Sequence, residues 1–210
     1  MKRPGKIVGV GRNYREHAKE LGNEVPKEPL IFLKPPSSVI AAGEAIVLPT
    51  ASSQIEYEGE IGVLIGRVLR NGDEREARAA IAGIVALNDV TARDLQRSDG
   101  QWTRAKGFDT VCPIGEPAAV PADLDALVVV TLVNGVERQR AAATEMVFPI
   151  PAVLAYISRI MSLEPGDVVA TGTPAGVGTL HDGDVVEVQV GGSTVRNPVR
   201  GDGVRGGSAA

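Results

Sequence analysis

Twenty-five glycines and fourteen prolines among 210 residues cut this chain into short segments. Many of the segments between them are rich in valine and isoleucine, a composition that suits strands better than long helices. A helical bundle is thereby excluded, and the expected fold class is α+β, strand-dominated with few helices. Hydrophobic residues make up 43% and charged residues 23%, enough apolar material for a substantial core, which argues against disordered or collagen-like structure. The length fits one domain over 1–200, with a glycine-rich tail at 201–210 that has little to bury.

Composition also narrows the partners. No apolar run approaches the ~20 residues that span a bilayer, and Met1, Lys2 and Arg3 lead into Pro-Gly instead of a signal-peptide core. A soluble cytoplasmic protein with no membrane partner is expected. A formal charge of −4 offers no footprint for nucleic acid, and 3% aromatic content gives few stacking platforms, so the partner is expected to be a small molecule. Cys112, the single cysteine, has no neighbouring base and reads as a core thiol.

Along the chain, 6–10 is a short apolar segment, and the polar stretch through Leu21 has room for one or two helical turns. Pro26, Pro29, Pro35 and Pro36 then impose an extended, turning path. From 55 to 64 the residues alternate: Ile55, Tyr57, Ile61 and Val63 point one way, Glu56, Glu58 and Glu60 the other. Asn71-Gly72 signals a turn, 74–82 a helix, and 84–87 a buried strand closed by Asn88-Asp89. Asn134-Gly135 predicts a type I′ hairpin following 127–133. Val153, Leu154, Ile157, Ile160 and Met161 have the spacing of one helix face, and 167–170 and 185–190 read as further strands.

The chemistry concentrates in two constellations. Glu58 and Glu60 share a strand face, and Asp89 arrives from the end of another apolar segment. Three clustered carboxylates repel one another unless a proton or cation offsets them, and hard oxygen donors suit Mg²⁺, Mn²⁺ or Ca²⁺. The plainer alternative is a solvated acidic strand face, and Glu56 shares its periodicity. His17 and Glu20, three apart on a helical turn, could pair so that the carboxylate fixes the imidazole tautomer and raises its basicity; the alternative is a surface pair. Lys106 could meet a substrate carboxylate or a developing enolate, or be an ordinary exposed lysine. A helix after Asp89 would bring Arg93 and Gln96 beside the acids. Thr171-Gly172-Thr173-Pro174 follows a strand and offers hydroxyls and amides at a turn. His181, beside Asp182-Gly183, decorates a turn, and Gly9-Val10-Gly11 lacks the rest of a dinucleotide fingerprint.

Taken in order, Gly11-Arg12-Asn13-Tyr14 with His17, Phe32-Leu33-Lys34-Pro35, Tyr57-Glu58-Gly59-Glu60, Asn88-Asp89-Val90-Thr91-Ala92-Arg93-Asp94 and the stretch from Thr171 to Gly178 resemble the fumarylacetoacetate hydrolase family. The resemblance covers about 7–191. It is greatest to the small single-domain branch of acylpyruvate hydrolases, oxaloacetate decarboxylases and homoprotocatechuate-pathway isomerase/decarboxylases. It implies a mixed β-roll or pseudo-barrel of the family's C-terminal-domain type, usually a homodimer. Glu58, Glu60 and Asp89 would hold Mg²⁺ or Mn²⁺, with Ca²⁺ a substitute in vitro. His17 and Glu20 would be the water-activating dyad on a lid formed by 11–30. Gln96, Lys106, Arg93 and Thr173 would face the substrate, and Glu56 stays outside the ligand set.

The implied chemistry acts on a 2-oxo-carboxylate through an enolate. With the substrate's carboxylate and keto oxygens on the cation, charge released from a breaking carbon–carbon bond would flow to the keto oxygen. Hydrolysis of an acylpyruvate needs the dyad to deliver water. Decarboxylation of oxaloacetate, or isomerisation of 2-hydroxyhepta-2,4-diene-1,7-dioate and decarboxylation of 5-oxopent-3-ene-1,2,5-tricarboxylate, reaches related enolates. A catalytically silent metal- or ligand-binding homologue is the non-enzyme alternative.

Overall fold

Valine- and isoleucine-rich segments pair here into two five-stranded sheets, and Glu58 and Asp89 lie where a three-stranded sheet splices onto the first of them. The computed structural model describes residues 3–20, 22 and 24–201. In the first sheet the order is Leu30–Lys34, Ile7–Gly11, Val168–Ala170, Gly59–Ile65, Ile81–Asn88. Ile7–Gly11 runs parallel to Val168–Ala170, and the other neighbours are antiparallel. In the second the order is Val136–Ala142, Val128–Val133, Val185–Val190, Ser193–Gly201, Ile46–Leu48. Among the described residues no sheet closes on itself, so the expected roll is present as open, packed sheets of a strand-dominated α+β fold.

The core forms where the two sheets face each other. Val8, Val10, Ile61 and Val63 from the first meet Val129, Val188, Val190 and Val195 from the second, and the helix Ile150–Ile160 seals one side with Val153, Leu154 and Ile157. Ile160, expected on that face, is 54% exposed because it ends the helix, where the buried stripe gives way to solvent. The helix expected at 74–82 is Glu74–Ala80, after which Ile81 is already in a strand. Asp73 accepts a hydrogen bond from Glu76 N (2.7 Å) while Glu76 accepts one from Asp73 N (3.0 Å), a reciprocal cap. Asp73→Ala should therefore destabilise the fold by about 1 kcal/mol in urea unfolding, and an unchanged midpoint would remove the cap from the account.

Asn134 (φ 53°) and Gly135 (φ 78°) both take the left-handed conformation that the expected hairpin requires. Two expectations change. The 55–64 alternation is not one strand: Ile55–Tyr57 pairs with Thr91–Ala92 and Gly178–Thr179, the chain leaves the ladder at Glu58, and Gly59–Ile65 joins the first sheet. The proline-rich stretch contains a regular strand, Leu30–Lys34, which occupies a sheet edge and so tolerates prolines at its flanks. Residues 202–210, most of the expected tail, lie outside the described residues. No helix among those described is long and apolar enough to cross a membrane.

Candidate active site

The break at Glu58 brings three acids together. Gly59–Ile65 pairs with Ile81–Asn88, with Gly59 opposite Asn88 and Glu60 opposite Leu87. Asp89 therefore leaves its strand beside Glu58. Two short bonds fix the junction: Asp89 N donates to Glu58 O (2.8 Å) and Glu58 N to Asn88 Oδ1 (3.0 Å). One carboxylate oxygen from each of Glu58, Glu60 and Asp89 lies within 4.8 Å of the others, and all three residues are buried. A solvated acidic face is thereby ruled out for these side chains.

Cations surround the acids. Arg93 Nη2 meets Glu58 Oε1 (2.5 Å) and its Nε meets Glu56 Oε2 (2.7 Å), so the guanidinium spans two carboxylates. Lys106 Nζ donates to Glu58 Oε2 (2.7 Å), Asp89 Oδ2 (2.5 Å) and Thr91 Oγ1 (2.7 Å). Lys34 Nζ stands 2.7 Å from Asp89 Oδ1 as an ion pair, off the hydrogen-bonding direction, and Asp89 Oδ1 accepts no hydrogen bond. Glu56 has both oxygens engaged, one by Arg93 and one by Gln54 Nε2 (2.6 Å).

Burial pushes the Glu58 carboxyl up, but Lys106 and Arg93 outweigh it and hold the group far below its ordinary value. Glu60 goes the other way. Burial raises it, and Asp89 and Glu58 raise it further, although Gly172 N donates to its Oε2 (2.8 Å). Burial alone would depress Lys106, yet Asp89 and Glu58 raise it, so it stands as an ammonium ion. Glu56, Glu58 and Asp89 pair with Lys34, Arg93 and Lys106, three carboxylates facing three cations, and Glu60 is the fourth acid beside them, pushed toward its neutral form. An all-oxygen trio with a buried oxygen, Asp89 Oδ1, that accepts no hydrogen bond fits a hard divalent cation, which would also favour the ionised form of Glu60.

Glu58, Glu60, Asp89, Arg93 and Lys106 line a cavity of about 490 Å³, together with His17, Glu20, Gln96, Thr173, Phe32 and Trp102. Glu58, Glu60, Asp89, His17, Glu20, Arg93, Gln96, Lys106 and Thr173 thus open onto one space, whereas Thr171 and Glu56 lie outside its lining. His17 Nδ1 lies 3.3 Å from Glu20 Oε2, and Glu20 Oε1 accepts from Gly176 N (3.0 Å). Contrary to the expected gain in basicity, burial lowers the His17 pKa, with Glu58 and Glu20 only partly opposing it. Thr173 Oγ1 donates to Gly59 O (2.9 Å), so its proton is committed within the protein. Gln96 receives Arg93 Nη1.

Lys34, named in the sequence only as part of a motif, takes a role in the site. It ends an apolar run and stands in the Phe32-Leu33-Lys34-Pro35 block, and at 1% exposure its ammonium must face a carboxylate. Lys34→Met should destabilise the metal-free protein by roughly 3 kcal/mol, because a buried carboxylate loses one of its partners. Divalent ion should restore more thermal stability to this variant than to the wild type, measured with and without chelator. Equal shifts would contradict the charge balance. Gly9 and Gly11 also acquire a reason: a Cβ at Gly9 would run into the Phe32 ring, and one at Gly11 would come 2.8 Å from Trp102 Cζ3. Those rings meet edge to face at 5.4 Å and wall the cavity, with Lys106 Nζ 4.9 Å from the Phe32 centroid. Cys112 is a buried thiol, pushed up to about 12 by burial, and His181 pairs with Asp184 at an exposed turn.

Residues 6–200 match the family model described as fumarylacetoacetate (FAA) hydrolase C-terminal, and the chain belongs to that family of enzymes. It is 45% identical over 187 residues to "Oxaloacetate tautomerase FAHD1, mitochondrial" of Arabidopsis thaliana, covering 86% of this chain and 84% of the relative. The crystal structure of 2-hydroxyhepta-2,4-diene-1,7-dioate isomerase from Mycobacterium marinum superposes with TM-score 0.88 at 41% identity, covering 96% of this chain and 76% of that one. Fumarylpyruvate hydrolase from Pseudomonas aeruginosa, in complex with Mn²⁺ and pyruvate, gives TM-score 0.86 at 31% identity, covering 93% and 89%.

Proposed function

We propose that this protein is a divalent-metal-dependent enzyme that acts on small 2-oxo-carboxylates through an enolate and hydrolyses a carbon–carbon bond in an acylpyruvate. The observation that carries the reading is the buried Glu58, Glu60 and Asp89 trio opening onto the same cavity as His17, Glu20 and Lys106. Glu58, Glu60 and Asp89 would hold a Mg²⁺ or Mn²⁺ ion, which would supply Lewis-acid chemistry to a 2-oxo-carboxylate. The complex of fumarylpyruvate hydrolase with Mn²⁺ and pyruvate supports both the class of ion and the class of molecule.

The chain's own residues divide the remaining work. Lys106 and Arg93 neutralise the carboxylates around them and present positive charge to an anionic substrate. Phe32 and Trp102 exclude water from one wall. Glu20 orients His17 through Nδ1, leaving Nε2 to take a proton from water as it attacks the distal acyl carbon. The products are a carboxylic acid and the enolate of pyruvate, which takes a proton to become pyruvate. Because its lowered pKa keeps the imidazole neutral, His17 is ready to accept that proton near pH 7.

A second reading is favoured by the Arabidopsis relative named as an oxaloacetate tautomerase. Enolisation or decarboxylation of oxaloacetate uses the same acid trio and has no need of hydrolytic water. Steady-state assays of acylpyruvates, oxaloacetate and unsaturated oxo-diacids, with Mn²⁺ and with chelator, separate these readings. Metal-dependent release of pyruvate and free acid from an acylpyruvate is the expected result; turnover of oxaloacetate alone would select the second reading. Metal binding with no turnover across the panel would leave a silent binding protein. The same proposal takes 1–200 as one catalytic domain, 11–30 as its lid, and a homodimer as the working form.

A further inference from the structure

Gln139 lies outside the cavity lining, yet it joins the two halves of the site. It is 1% exposed and sits on Val136–Ala142, where the pairing with Val128–Val133 slips: Thr131 faces Gln139 while Leu132 faces Glu137. The residue left over at this bulge is Arg138, whose carbonyl packs where a Cβ of Gly176 (φ 97°) would be. Gln139 Oε1 accepts from Gly59 N (3.0 Å), and its Nε2 donates to Thr173 Oγ1 (2.8 Å) and Pro174 O (2.9 Å). Thr173 Oγ1 donates in turn to Gly59 O, closing a ring of hydrogen bonds between the carboxylate strand and the loop 171–176.

Each end of that ring leads to chemistry. Gly59 lies between Glu58 and Glu60 in the chain. The loop supplies Gly172 N to Glu60 and Gly176 N to Glu20, and Tyr57 Oη donates to Gly176 O (2.9 Å). We propose that Gln139 is a positioning residue: its carboxamide sets the register of the loop against the acid trio, and through Gly176 it places Glu20 and His17 over the bond to be hydrolysed. This rests on the hydrolytic role proposed for the dyad.

The test compares wild type with Gln139→Met, which keeps the volume and removes the hydrogen bonds, and Gln139→Glu, which retains an acceptor for Gly59 N. In Mn²⁺-loaded protein, acylpyruvate hydrolysis in Gln139→Met should fall about 30-fold and oxaloacetate decarboxylation at most about threefold, since only the first needs both arms aligned. Gln139→Glu should fall between. Amide exchange at Gly176 and across Arg15–Glu20 should accelerate at least about tenfold while the core strand Gly59–Ile65 stays protected from Ile61 onward. Equal losses in both reactions, or an unchanged ratio in the folded variants, would overturn the proposal. Should the wild type lack either activity, the functional reading fails separately and the exchange pattern decides: unaltered exchange at Gly176 in both variants would overturn the positioning role.

Discussion

Asp89→Ala should lower metal-dependent turnover by at least roughly 10³-fold even at saturating Mn²⁺, because under the proposed function the variant loses a ligand to the ion that would polarise the substrate. The residue is 0% exposed and faces both Lys34 and Lys106, so alanine also leaves two buried ammonium groups with less compensation. Asp89→Asn keeps the side-chain volume and isolates the loss of charge, and it should be nearly as inactive while remaining folded by circular dichroism. Glu58→Ala should match it, since Arg93 and Lys106 both converge on that carboxylate. Wild-type turnover by the folded Asp89→Asn protein at saturating Mn²⁺ would remove Asp89 from the ligand set.

His17→Ala should divide the reactions where Asp89 variants do not. Loss of a positioned general base typically slows a step by about 10²- to 10⁴-fold, so acylpyruvate hydrolysis should drop by that order. Decarboxylation of oxaloacetate should change by less than about tenfold, because no water has to be activated. The pH profile carries a second signature. Burial lowers the His17 pKa below the ordinary 6.5, so the neutral, proton-accepting form persists into mildly acidic solution. The acid limb of hydrolysis in the wild type should therefore fall below pH 6.5 and should vanish in the residual rate of the variant. The same shift acts on stability. Above pH 6.5 its contribution is complete; as the pH falls toward the folded-state pKa the unfolded chain takes up the proton first, and that contribution is lost. Equal loss of both reactions in a folded His17→Ala protein would contradict the division of labour.

How much of this was legible without coordinates depended on whether a residue's meaning is local. Asn134-Gly135 declares its turn because left-handed backbone is a property of two residues, and the helix stripe through Val153, Leu154 and Ile157 declares its buried face by spacing. The acid trio was legible as residue types, but its burial was not: a carboxylate looks the same in sequence whether it faces water or Arg93. The roles of Lys34 and Gln139 were hidden for that reason, since their partners lie 55 and 80 positions away, at Asp89 and Gly59. The alternation through 55–64 misled because two strands of different sheets happen to continue one another's period across Glu58. That interruption turns the local backbone toward Asp89 and makes a site where an unbroken strand would have made a surface.

The most direct measurement is the anomalous difference density of a Mn²⁺-soaked crystal. The account predicts one principal peak per chain, within about 2.3 Å of a carboxylate oxygen from each of Glu58, Glu60 and Asp89, with His17 and Glu20 across the cavity. A peak that leaves Glu60 or Asp89 uncoordinated, or sits elsewhere on the chain, would contradict it.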